Sequence, residues 1–232
     1  MRRPSALAAS PSQASQFVLQ PASGKTPRLL FLGAHPDDIE IGCGATVLSM
    51  LAARPGIEVR WIVFSGRDRR RQEASKSAAR FLRRATRKEV SILDFRDGYF
   101  PHQIAEIKEF FEGLKDEKPP DVIFTHHRVD RHQDHRTVSD LTWNTFRGHC
   151  ILEYEIPKYD GDLGQPNLYA PVTRAIAAAK VRGLMAGFES QRSRRWYTAE
   201  TFSGLMRLRG VESGAATGLA EAFHARKLLF KV

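Results

Sequence analysis

Cysteine is scarce in this chain: only Cys43 and Cys150 occur in 232 residues, too few for a disulfide framework. Long apolar runs are missing as well. Nothing approaches the roughly 18 uninterrupted apolar residues of a membrane-spanning helix, and the opening MRRPSALAASPSQASQF lacks the apolar core of a secretory signal. These absences predict a protein with no membrane span, in a reducing, cytoplasmic compartment. Acidic residues are the minority, 26 against 36 basic, for a net charge of +10. Such a balance invites a nucleic-acid partner, yet neither an RNP aromatic pair nor a C2H2 spacing is present, so none is expected.

What is present suits one globular domain: 42% of the residues are hydrophobic, over a length that buries a sizeable core. Residues 1–26, rich in Ala, Ser, Pro and Gln, show no apolar periodicity and read as a flexible tail; residues 27–232 read as the domain. From Arg28 short apolar or β-branched runs alternate with helix-patterned stretches. Strands are expected at Arg28–Gly33, Glu58–Phe64, Val90–Phe95, Val122–Thr125 and Ile151–Ile156. Helices are expected at about 43–53, 69–84, 103–115, 138–146, 173–188 and 199–208, with an apolar end at 222–230. A βαβ series of this kind predicts an α/β fold, Rossmann-like, with a mostly parallel sheet and helices on both faces.

Charge is concentrated in one place. Ten basic residues lie between Arg67 and Lys88, against Asp68 and Glu73. The segment reads as the solvated face of a helix, with an anion-binding surface as the rival reading. Arg67 and Arg70 fall just after a predicted strand and are candidates to contact an anionic substrate.

Ligands of open α/β sheets bind beyond the carboxyl ends of the strands, and two such loops carry unusual chemistry. The first, after RLLFLG, reads His35-Pro36-Asp37-Asp38-Ile39-Glu40; the second, after VIFT, holds His126, His127, Asp130, His132, Asp134 and His135. Each alone has an ordinary explanation, since Pro and Asp make turns and Asp caps helices. Together they suit a split metal site: imidazole nitrogens and carboxylate oxygens are the usual donors of a catalytic zinc, which keeps three protein ligands and one open position. His35 and Asp38 from one loop and His135 from the other would complete such a set, leaving Asp37 beside it as a general base.

The stretch AHPDDIEIGCGAT resembles the AHPDDE signature of the PIG-L/LmbE-like zinc de-N-acetylases, and HQDH at His132–His135 resembles that family's second signature, HxDH. The resemblance runs from Arg28 through most of the chain and implies a Rossmann-like fold. It implies zinc, or another divalent metal, on His35, Asp38 and His135, with Asp37 as base. His132 would stabilise the oxyanion and protonate the leaving amine, with Asp134 orienting it by a hydrogen bond. The implied reaction releases acetate from an N-acetylated amino sugar, a related small molecule or a glycoconjugate, and homo-oligomerisation is left open. Ile39, inserted before Glu40, departs from the signature and puts only the role of Glu40 in doubt. A carbohydrate- or polyanion-binding protein without turnover, and a metal hydrolase acting on another bond such as an ester, are the rival functions.

Other residues read as packing. Gly42 and Gly44 flank Cys43 and suggest a helix start held tightly beneath the first loop, with Cys43 as a small hydrophobe. Trp143, Phe146 and Tyr154 fall at core spacing, whereas Tyr159, in the polar loop KYDGDLGQPN, is a candidate wall of the substrate pocket.

Overall fold

In the computed structural model, which describes residues 26–54 and 56–228, the strands alternate strictly between two cores. Along β1 (Arg28–Gly33), Leu29 and Phe31 enter one apolar cluster while Leu30 and Leu32 enter another, as the two-residue period of a strand dictates. The same division continues on β2 (Glu58–Val63), where Val59, Trp61 and Val63 face one way and Ile62 the other, and on β4 (Val122–His126), with Phe124 opposed to Ile123. A sheet apolar on both sides must be covered on both. Helices α1 (Asp38–Ala53), α2 (Asp68–Phe81), α5 (Arg174–Gly187) and α6 (Ala199–Glu212) cover the first face, and α3 (Ile104–Gly113) and α4 (Gln133–Thr145) the second.

Seven strands form the sheet, in the order β3-β2-β1-β4-β5-β7-β6. Pairing is parallel from β3 to β5 and antiparallel where β7 (Ala220–Ala225) joins β5 (Cys150–Tyr154) and β6 (Leu168–Pro171) joins β7. This is the single α/β domain expected. The chain leaves β1 toward β2 and β3, then returns to place β4 on the other side of β1. The loops after β1 and β4 therefore meet at a topological switch point, where open α/β sheets form their crevice. Among the described residues no helix is long and apolar enough to cross a membrane.

Several boundaries differ from the sequence reading. The strand expected at Val90–Phe95 is β3, Arg87–Ile92. It lies at the sheet edge, where exposed Arg87, Lys88 and Glu89 pair with β2 as well as apolar residues do. Helix α4 starts at Gln133, not near Val138, because His132 caps it. Helix α1 starts at Asp38, not Cys43; position 43 is instead a kink with non-helical backbone (φ −143°, ψ 18°). Past the kink the amides of Ala45 and Thr46 donate to the buried Glu221 carboxylate of β7, at 2.9 and 2.6 Å. Gly42 is held against the sheet: a Cβ there would lie 2.2 Å from the Tyr154 ring. Cys43 is fully buried and its thiol donates to the Ile39 carbonyl, so it packs as expected. The tail expected over residues 1–26 lies outside the described residues except for Thr26, and the apolar end expected at 222–230 is described only to Leu228.

Candidate metal centre

The His35-Pro36-Asp37-Asp38 turn folds back on itself. The His35 amide donates to Asp38 Oδ2 at 2.6 Å, which brings imidazole and carboxylate to the same side of the loop. Asp37 precedes α1 with φ of 103°, a left-handed conformation uncommon outside glycine. Strain of this kind is held only where the surroundings impose it, and it clusters at functional sites. The loop is pinned to β4 from below, because the Ala34 amide donates to His126 Nε2 at 2.9 Å.

On the other side Asp130 organises the second loop. Its Oδ1 accepts the His132 amide at 2.8 Å and its Oδ2 accepts from His135 Nδ1 at 2.9 Å, while the Lys158 ammonium stands 3.0 Å from Oδ2. His132 caps α4 by accepting the Asp134 amide on Nδ1 at 3.3 Å, so the ring proton falls on Nε2.

These two loops bring three donors together. His35 Nδ1 lies 3.2 Å from His135 Nε2 and 3.4 Å from Asp38 Oδ2, and His135 Nε2 lies 3.6 Å from Asp38 Oδ1. The outer nitrogens are already engaged, His35 Nε2 by Asp134 Oδ2 and Asp97 Oδ1, each at 3.1 Å, and His135 Nδ1 by Asp130. The inner nitrogens, His35 Nδ1 and His135 Nε2, therefore face one another at a distance that one shared proton or a bound metal ion can bridge. Bonds of about 2.05 Å at tetrahedral angles put ligand atoms about 3.3 Å apart, close to these separations, with Asp38 turning Oδ2 to His35 and Oδ1 to His135. His132 joins His35 and His135 as a further group able to hold a metal, as His126 joins Asp38 and His135.

The surrounding carboxylates make this a site that favours positive charge. Burial works against a charged His35, but hydrogen bonds to Asp134, Asp38 and Asp97 outweigh it and raise its pKa well above the ordinary histidine value. Burial alone would raise Asp38, yet His135, His126 and His35 pull it well below the usual carboxylate range. Burial and the nearby His126 push His135 down to about 4. Burial raises Asp37 to about 8 against the opposing charge of Arg70, and Glu40 to about 7.

Each residue singled out in the sequence can now be placed. His35, Asp38 and His135 converge, and His132 stands beside them with its ring centroid 4.8 Å from that of His35 and 4.6 Å from that of His135. Asp37 is buried, with Oδ1 3.4 Å from Arg70 Nη2, and Arg70 also donates to the Pro36 carbonyl. The bond expected from the Asp134 carboxylate to His132 is replaced by the backbone contact above. That carboxylate instead accepts the Gly98 and Phe100 amides, at 2.6 and 3.1 Å, and faces His35. The reason is position: at the second residue of α4 the side chain points across to the loop after β3, not back to its own cap. Arg67 donates to the Asp94 carbonyl, and Tyr159 is 68% exposed. Phe146 and Tyr154 are core residues. Asp97, His126, Asp130 and Lys158 have no role in the sequence reading; of these His126 and Asp130, both in the histidine-rich stretch, carry a signal in the sequence.

Comparison with known proteins bears on the family and the fold. Residues 30–146 match the PIG-L family, described as GlcNAc-PI de-N-acetylase. The "uncharacterized deacetylase YaiS" of Escherichia coli (strain K12) is 34% identical over 152 residues, covering 60% of this chain and 80% of that protein. Two solved structures share the fold. The N,N'-diacetylchitobiose deacetylase of Pyrococcus horikoshii superimposes with a TM-score of 0.62 at 18% identity, over 85% of this chain and 82% of its own. GalB, the 4-carboxy-2-hydroxymuconate hydratase of Pseudomonas putida KT2440, gives 0.66 at 14% identity, over 89% and 99%. With both signature loops inside the matched span and closing on one centre, the chain belongs to the PIG-L family.

Proposed function

We propose that this protein is a zinc-dependent de-N-acetylase that releases acetate from an N-acetylated amino sugar, free or carried on a glycoconjugate. One observation carries the reading: His35, Asp38 and His135 converge at metal-ligand separations, with His132 beside them and Asp37 preceding Asp38 in the same turn. Deacetylase names among its relatives support it. The fold alone does not, since a hydratase shares it.

A divalent metal on these ligands would polarise the amide carbonyl and acidify a water. The chain's own residues do the rest. The Asp37 carboxylate takes a proton from the attacking water as the new C–O bond forms. His132 presents its Nε2–H to the oxygen on which charge develops, a fixed donor aimed at the transition state. When the C–N bond breaks, the amine nitrogen takes up the proton, and acetate and free amine leave. Arg70 borders Asp37 and Pro36 and holds that side of the loop in place.

The test is metal content of the purified protein together with acetate release from a panel of N-acetylated amino sugars, before and after chelation. One metal per chain and chelator-sensitive acetate release are expected. A protein that stays inert after zinc is restored overturns the reading in favour of a binding protein. Turnover of esters alone would make it a hydrolase of another bond.

A further inference from the structure

The candidate metal centre uses only the first turns of the basic helix. There Arg69 pairs with Glu73 and Glu189, and Arg70 with Asp37 and Glu73. The far end is different. Where the last turns of α1 and α2 meet the middle of α5, a groove of about 450 Å³ opens, with Leu51, Phe81 and Ile176 in its wall and Arg80, Arg83, Arg84 and Arg182 among the residues around it. No carboxylate lines it. Among the described residues none of the four guanidiniums has an ion-pair partner, and Arg80 donates to the Gly183 carbonyl at 3.1 Å. Some arginines elsewhere lie on carboxylates, Arg28 and Arg60 on Glu117, Arg87 on Glu58 and Arg209 on Glu155, whereas others, such as Arg67, Arg71 and Arg192, donate to backbone carbonyls. What sets this groove apart is the gathering of four guanidiniums around one apolar wall with no carboxylate in the lining.

We propose that this groove binds a long-chain carboxylate, with the acyl chain along Leu48, Ile176 and Ala179, above the buried Leu51 and Phe81, and the anionic head among the guanidiniums. Arginine meets carboxylate oxygens with paired, charge-assisted hydrogen bonds, and a volume of this size lies within the range of small-molecule sites. Charge excludes the nearest alternatives. Residues 1–25 of the chain itself carry Arg2, Arg3 and Lys25 and no acid, so that segment offers no counter-charge. A second copy docking by two-fold symmetry would set one cationic rim against another. A nucleic-acid backbone would satisfy the arginines and leave the apolar wall unfilled. The site lies roughly 20 Å from the metal centre, since α1 begins there at Asp38 and reaches Leu51 at about 1.5 Å per residue.

The experiment is calorimetric titration of the full-length protein with laurate below its micelle concentration, with dodecyl maltoside as a neutral head on the same chain. Saturable binding of one laurate per chain is expected, with dodecyl maltoside at least tenfold weaker. The Arg83→Glu, Arg84→Glu double variant should weaken laurate at least tenfold. Ala52→Trp, which fills the groove from an exposed position of α1, should weaken it comparably without altering charge. Metal content and acetate release should be unchanged in both variants, so failure here is separable from failure of the catalytic reading. Equal binding of the two detergents, or laurate binding that survives both variants, overturns the proposal. Binding to phosphatidylglycerol vesicles or to DNA without binding of monomeric laurate also overturns it, in favour of a polyanionic surface.

Discussion

Nδ1 of His35 and Nε2 of His135 stand 3.2 Å apart across a sequence separation of 100 residues, each ring held from behind by a carboxylate. A metal ion that takes the place of the proton shared by these nitrogens binds only the folded site, so metal binding should stabilise the fold as well as arm the site. At a free metal concentration of about 100 times Kd the gain is about 2.7 kcal/mol. For a domain of this size that is roughly 5–10 °C in Tm. Differential scanning fluorimetry with and without zinc reads the shift, and His135→Ala should abolish both it and the bound metal. An equal shift in the variant would remove His135 from the ligand set.

Asp37 should be separable from the metal. Asp37→Asn keeps the side-chain shape and suits the left-handed backbone at φ 103°, which asparagine tolerates better than most residues. Metal content should therefore hold while kcat for acetate release falls about 10²- to 10⁴-fold, the usual contribution of a general base. Asp37→Val, β-branched at the same φ, should instead lose soluble protein. Activity retained in Asp37→Asn would sink the assignment of the base.

Asp130 holds the amide of His132 through one oxygen and the ring of His135 through the other. It should act as a positioning residue. Asp130→Asn keeps an acceptor but loses the charge, and metal affinity should drop about 10- to 100-fold, the range seen when the outer partner of a ligating histidine is altered. A competition titration against a chelator of known affinity measures this. An unchanged Kd would limit Asp130 to loop architecture.

How far the sequence spoke is clear from these residues. His35, Asp37, Asp38, His132 and His135 were readable because their chemistry is packed into two short loops after strands with clean alternating patterns. Asp130 was visible but had no assigned part, because which carboxylate meets which imidazole is decided by side-chain direction in the folded loops. Asp97 and Lys158 come from segments without local pattern, and only the sheet topology delivers them. The antiparallel β6 escaped notice for a related reason: its four residues, Leu168–Pro171, form a short edge strand. The start of α1 was misplaced because Cys43 interrupts it and the acceptor that repairs the break, Glu221, lies 176 residues from Ala45.

Acid should loosen the protein through Glu155. Burial raises this carboxyl, but the nearby His224, 3.9 Å away, and the Arg209 guanidinium, which donates to it at 2.6 and 2.9 Å, outweigh burial and hold the pKa below the ordinary value of 4.5. A carboxylate with a depressed folded pKa contributes stability above its unfolded pKa, and that stability is lost as pH falls through the folded value. Tm should therefore begin to fall as pH drops below about 4.5 through this group. Glu155→Gln should be less stable at pH 7 and show a shallower fall below pH 5. Parallel Tm curves for the two proteins would show that Glu155 does not contribute to the acid transition.

The kink in α1 yields the sharpest stability prediction. Glu221 is buried, accepts the amides of Ala45 and Thr46, and lies 2.6 Å from the ammonium of Lys180, which also donates to the Ile41 carbonyl. Glu221→Ala strands two amides and a buried cation together. Removing one partner of a buried pair costs about 3–5 kcal/mol, so urea unfolding should show a loss of that size at an unchanged m-value. Because the same helix begins with Asp38, a proposed metal ligand, zinc affinity should fall in step. Lys180→Met alone leaves Glu221 its two amides and should cost less, and the double variant should recover part of the loss of Glu221→Ala, since the stranded cation is gone. A Glu221→Ala protein within about 0.5 kcal/mol of the parent, the spread of ordinary surface changes, would mean that the kink is held by packing against Tyr154 and Phe81 and not by this carboxylate.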